Sequence, residues 1–363
     1  MKNVLIAVMS LLLTGQTFAQ NKKMESKKIN KMEQFTFQLS DNVTREKVAF
    51  KNRYGITLSG HLYSPKNIDK STNYPALVLS GPFGAVKEQS SGLYANEMAK
   101  RGFISLAFDP SFTGESGGEV RNVASADIFT EDFSTAVDYL GLQSYIDRNK
   151  IGALAICGLS GMAITAAASD TRIKAVATVS MYDMSRSISK SYMDSYTNEQ
   201  RHKALNYLSQ QRWEDAEKET YALGYHEIPF DEKGNIVKGI KLLPDTLPKN
   251  SNPVLADFHS YYKTKRGYHP ISINSNTAWT ATTPISFFNF PMYANIALLS
   301  PRPIMLIAGE KAHSRYYSED VYKLASQPKE LIIVPGATHC DLYDKTDLIP
   351  FDKLDFFFKN NLK

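Results

Sequence analysis

Ile151-Gly152-Ala153-Leu154-Ala155-Ile156-Cys157-Gly158-Leu159-Ser160-Gly161 carries no charge: an apolar run, then a cysteine, a glycine and the start of a small-residue stretch. A continuous apolar run reads as a strand buried on both faces. The Ala-rich residues 161–169 that follow read as a helix able to pack closely on a sheet. Between strand and helix there is room only for a tight turn. A side chain at the tip of such a turn projects freely, and the next backbone N–H points where a developing oxyanion would sit. Nucleophilic acyl transfer needs both. Two registers offer a nucleophile, Cys157 or Ser160.

Outward from this stretch the chain alternates between strand and helix patterns. Residues 43–52 and 56–64 alternate apolar and polar side chains and read as an antiparallel opening pair, whereas 75–80, 103–109, 151–156 and 173–180 are buried-strand runs. Amphipathic helices are expected at 92–100 and 127–142. The alternation stops across 184–300, a segment rich in Tyr, Trp, Asn, Gln and Pro, and resumes with strands at 302–309 and 330–334 and helices at 318–326 and 350–361. The order predicts an α/β fold, a mostly parallel sheet with helices on both faces, in a core of 43–183 and 301–363. Residues 184–300 are expected to form a helical cap inserted after the sixth strand.

Lys2, an apolar stretch and Thr17-Phe18-Ala19 form a secretory signal peptide over 1–19, which implies a secreted or periplasmic protein. The apolar stretch is shorter than the roughly 20 residues of a membrane span, and no membrane span is expected elsewhere. A tether is expected over 20–42, with its lysines (22, 23, 27, 28 and 31) in solvent. The formal charge of +5 is spread among acidic residues, which argues against a nucleic-acid partner. Metal-binding and nucleotide motifs are absent, so no metal or cofactor is expected.

Cys157 and its flanks resemble the strand–turn–helix of the α/β-hydrolase superfamily, closest to its dienelactone-hydrolase-like and peptidase-like branches, whose turn reads G-x-nucleophile-x-G. Ala155 and Leu159 stand where that pattern has glycines. The resemblance implies a nucleophile five residues after the strand's leading glycine and about thirteen before the aspartate of the next strand. Gly152 to Cys157 is 5 and Cys157 to Asp170 is 13, whereas Ser160 gives 8 and 10. We therefore take Cys157 as nucleophile, with Ser160 as the alternative. A helix N-terminus and a nearby imidazole favour a thiolate.

The resemblance assigns that imidazole to His339, in Pro335-Gly336-Ala337-Thr338-His339 after the last strand. Its carboxylate partner should follow the seventh strand as G-x-x-D, but Gly309-Glu310-Lys311-Ala312 ends in alanine. Glu310 is the first choice for the acid and Asp183, past the sixth strand, the second, with Asp320 and Asp341 behind them; His313, Ser314 and Arg315 follow and either shape the same pocket or form a solvated loop. Gly158 and Phe83 are the expected oxyanion donors, since Pro82 has no N–H. Residues 108–118, with Asp109 and Ser116, resemble a turn that marks the fold. His226, His259 and His269 in the cap are expected at the surface, with substrate contact as the alternative, and Cys340 beside His339 raises a disulfide with Cys157. The reading is an exported hydrolase that cleaves an ester, lactone or similar acyl bond of a small molecule through an acyl-enzyme. Trp213, Trp279, Phe287, Phe288, Phe290 and Tyr293 point to an apolar or aromatic substrate group or to a core of the cap itself. A prolyl-oligopeptidase-like peptidase and a non-catalytic binding protein are the alternatives.

Overall fold

The computed structural model describes residues 34–363; the expected signal peptide and the tether as far as residue 33 lie outside the described residues. In chain order the strands are β1 (Val43–Lys51), β2 (Thr57–Pro65), β3 (Tyr74–Ser80), β4 (Ile104–Phe108), β5 (Ile146–Ile156), β6 (Ile173–Val179), β7 (Leu223–Gly224), β8 (Trp279–Thr280), β9 (Ile304–Gly309) and β10 (Lys329–Val334). Eight of them make one sheet in the order β1-β2-β4-β3-β5-β6-β9-β10. The β1–β2 and β2–β4 pairs are antiparallel, and from β4 to β10 every pair is parallel.

The continuous apolar runs have a direct cause: each face of the sheet is covered. Ala76, Val78, Ala153, Ala155 and Leu306 point into one core, shared with α2 (Ala126–Gly141) and α3 (Leu159–Ser169). Their neighbours Leu77, Leu79, Leu154, Ile156 and Ile307 point into the other, with α1 (Ser90–Lys100) and α11 (Phe351–Asn361). The period-2 alternation of a strand sends successive side chains to opposite faces, so two apolar faces require an unbroken run. This is the α/β-hydrolase fold. Residues 36–42 are pinned to the body rather than loose: Thr36 N–H donates to Glu88 O at 3.1 Å and Ser40 N–H to Asn96 Oδ1 at 3.0 Å.

Between β6 and β9 the chain forms α4 (Met184–Lys190), α5 (Asn198–Lys218), α6 (Pro253–Tyr262), α7 (Ile273–Asn276) and α8 (Ile285–Phe288). After β9 come α9 (Arg315–Leu324) and α10 (Asp341–Asp344). Among the described residues no helix is long and apolar enough to cross a membrane. Parallel strands end at one edge, where an open α/β sheet binds its ligands. The loops after β3, β5, β6, β9 and β10 therefore converge there.

Candidate active site

Cys157 occupies the turn between β5 and α3 with φ = 56°, a left-handed conformation that costs a non-glycine residue about 1–3 kcal/mol. Hydrogen bonds hold it there: Cys157 N–H donates to Val179 O at 3.0 Å, and its carbonyl accepts from Ser160 N at 3.1 Å and Tyr182 N at 3.1 Å. The sulfur interacts with the backbone N–H groups of Gly158 and Phe83 and with the Tyr343 hydroxyl. The two amides are those expected to bind an oxyanion. Ser160 is fully buried and its hydroxyl donates to Ala155 O at 3.2 Å, which turns it back onto β5 and away from the cavity.

The β3 loop that brings Phe83 to the sulfur crosses β5 closely. At Gly81, φ is 106° and a Cβ would lie 2.1 Å from the Ile156 carbonyl oxygen, so a side chain is excluded. Asn274 of α7 donates from Nδ2 to Phe83 O at 2.8 Å, and the Phe83 ring lies 4.3 Å from that of Trp279 and 5.7 Å from that of Phe287. Deeper in the same loop Lys87, fully buried, reaches Asp109 at 3.0 Å, Glu88 at 2.7 Å and Glu115 at 2.6 Å. Burial alone would lower the Lys87 ammonium, but these three carboxylates hold it above its ordinary range. Burial pushes Glu88 up to about 7, with Asp109 adding to the push and Lys87 opposing it. Asp109 also accepts from the N–H groups of Lys87 (2.7 Å) and Glu115 (2.9 Å), and Ser116 Oγ donates to its carbonyl at 2.6 Å. The turn read as a fold marker thus anchors the β3 loop. His61 sits beside this cluster, 3.8 Å from Glu88.

His339 follows β10 and is fully buried. Its Nδ1 lies 2.6 Å from Ser314 Oγ and its Nε2 2.8 Å from the Tyr343 hydroxyl. Neither expected acid reaches the ring. Glu310 bends away to accept from Gly336 N at 2.8 Å, and Asp183 caps α4 by accepting from Arg186 N at 2.9 Å. Asp320 pairs with Arg186 and Lys323, and Asp341 with Lys345 and the Thr338 N–H. The hydroxyl of Ser314, two residues past Ala312, takes the place of a carboxylate. Asp257 of α6 serves the loop rather than the ring: it accepts from Thr338 Oγ1 at 2.9 Å and from Cys340 N at 3.0 Å, on both sides of His339.

The expected thiolate is not the resting form. Burial pushes the Cys157 thiol up to about 11, against the smaller opposing pull of Tyr343, Gly158 and Phe83. Burial, with a contribution from His313, holds the His339 imidazolium well below its usual range. A buried pair with no carboxylate hydrogen-bonded to either group stays neutral, thiol and imidazole, because the low dielectric penalises charge separation. Both cysteines are free and buried, so no disulfide joins Cys157 to Cys340.

Cys157 and Tyr343 open into a cavity of about 690 Å³, bounded by Phe83, Tyr182, Phe258 and Tyr262 near the sulfur and by Tyr225, Glu227 and Leu242 farther out. Its size falls within the roughly 300–1,000 Å³ of small-molecule sites. His226 also lines it, and His269 is fully buried, so neither takes the surface position expected of it. The cap aromatics singled out in the sequence do not line the cavity: Trp213 is exposed, while Trp279 and Phe287 pack behind Phe83. Sequence reasoning missed Tyr343, whose spacing of four from His339 on a helical turn was the available signal.

Residues 55–223 match the model of the X-Pro dipeptidyl-peptidase (S15) family. An uncharacterized Pseudomonas aeruginosa protein, PA2218, is 55% identical over 327 residues, covering 90% of this chain and 83% of its own. Its crystal structure superposes with a TM-score of 0.83, at 54% identity over 90% of this chain and 96% of that one. The uncharacterized Escherichia coli protein YcjY is 36% identical over 82% of this chain and 92% of its own. The α/β hydrolase GrgF of Penicillium shares the fold, with a TM-score of 0.69 and 22% identity over 88% of this chain and 99% of that one. The chain belongs to the family of PA2218 and YcjY, and its fold is that of the α/β hydrolases.

Proposed function

We propose that this is an exported acyl hydrolase that cleaves an ester, lactone or related acyl bond through a Cys157 acyl-enzyme. The observation that carries this is the sulfur itself, held on a strained turn at a cavity with the Phe83 and Gly158 N–H groups directed at it. As sulfur adds to the substrate carbonyl, the negative charge moves to oxygen, where those two donors receive it. The thiol proton passes to His339. Collapse expels the leaving group, which takes that proton, and water then breaks the C–S bond in the same way.

Glu227 is the only carboxylate among the described lining residues and no Lys or Arg accompanies it, so neutral or cationic substrates are favoured over anionic ones. Export rests on residues 1–19. A second reading, a peptidase, is supported by the S15 family match. A panel of p-nitrophenyl esters, thioesters and aminoacyl anilides separates the two. Cys157→Ala should abolish turnover, by about 10³-fold or more, and leave Ser160→Ala active. Full activity in Cys157→Ala would overturn the reading.

A further inference from the structure

We propose that Tyr343 is a catalytic residue whose hydroxyl carries the proton between the Cys157 sulfur and His339 Nε2. This rests on Cys157 being the nucleophile. The hydroxyl stands 2.8 Å from Nε2 on one side and, on the other, lines the same cavity as the sulfur, to which it is electrostatically coupled. Tyr343 and His339 are both fully buried, but Tyr343 lines the cavity with Cys157 and His339 stands behind it. The imidazole therefore meets the reaction through the phenol.

The ring is held for this task. It packs edge-on against Tyr261 at 5.0 Å and Tyr262 at 6.2 Å, and 5.3 Å from the His339 ring, one helical turn along the chain. Nδ1 faces Ser314 Oγ. With the ring proton on Nδ1, donating to Ser314, Nε2 is free to accept from the phenol, whose oxygen in turn faces the thiol.

On attack, the C–S bond forms, the S–H proton moves to the Tyr343 oxygen, and the phenolic proton moves to Nε2. The phenol is neutral before and after, so the relay never requires a tyrosinate. That matters because burial holds Tyr343 ionisation well above its ordinary range. The reverse shift hands the proton to the leaving group and restores the neutral chain.

The test uses Tyr343→Phe, which keeps the packed ring and removes only the hydroxyl, together with His339→Gln and the double variant. Acylation by p-nitrophenyl acetate and alkylation by iodoacetamide are followed against pH, with peptide mass mapping to separate Cys157 from Cys340. Each single variant should slow Cys157 acylation roughly 10²-fold. The double variant should be no slower than the worse single one, as for residues that act as a unit. Both single variants should give the same alkylation profile against pH, a readout that a packing role would not produce.

Acylation of Tyr343→Phe within about threefold of wild type, or single effects that multiply, would overturn the relay. Failure of the underlying reading looks different: wild-type enzyme that turns over ester without acylating the Cys157 peptide, or an active Cys157→Ala.

Discussion

Lys87 and Cys157 are both buried beside the loop that follows β3, yet their surroundings treat charge in opposite ways. Around Lys87, three carboxylates converge, and the ammonium keeps its proton against burial. Around Cys157 stand a phenol, two amides and, beyond the phenol, an imidazole whose partner is a hydroxyl; burial goes unopposed by any full charge and each group rests neutral. The difference separates two tasks. Fixed ions tie a loop in place, as Asp109 ties the backbone at Lys87 and Glu115. A neutral hydrogen-bonded chain instead leaves its protons available to move when a bond forms.

The sharpest way to break this contrast is to remove the cation from the first cluster. Lys87→Met leaves buried carboxylates uncompensated and should cost roughly 3–5 kcal/mol, measured by denaturant unfolding, with the oxyanion loop loosened in consequence.

A milder change sharpens it. Glu88 titrates near 7 in the fold, above its ordinary carboxylate value, so the folded state binds the proton more tightly than the unfolded one. Its contribution is fully present below the ordinary value and is lost as pH rises through about 7. Glu88→Gln should therefore unfold at a higher temperature relative to wild type on the alkaline side of that range than on the acid side. The change is worth on the order of 1–3 kcal/mol.

The smallest expected effect lies in the second cluster. Ser314→Ala removes the partner of Nδ1 and should lower kcat roughly tenfold, because the imidazole loses its orientation rather than a charge partner. A loss as large as that of His339→Gln would mean that the hydroxyl does more than orient.

The sheet was legible because its strands are buried on both faces and so spell themselves out as unbroken apolar runs. The tight turn at Cys157 was legible for the same reason, from strand, glycine and small-residue helix in sequence, and Gly158 and Phe83 follow from where such turns place amides. The partner of the histidine was not. Glu310 lies at the right point in the chain, but its side chain finds the Gly336 N–H, a donor that appears only once β9 and β10 are paired. Ser314, already placed beside the pocket by the sequence, carries no charge to mark it as the partner of the ring. Asp257, some eighty residues from the loop it secures, left no local trace at all.

That last contact joins what would otherwise be separable modules. The stretch between β6 and β9 supplies much of the cavity wall, but through Asp257 it also braces the residues on either side of His339, and through Asn274 it steadies the carbonyl of Phe83. Exchanging this roof for that of a relative would therefore unsettle the proton acceptor and an oxyanion donor along with the substrate preference. On the proposed mechanism, selectivity and reactivity have to be inherited together.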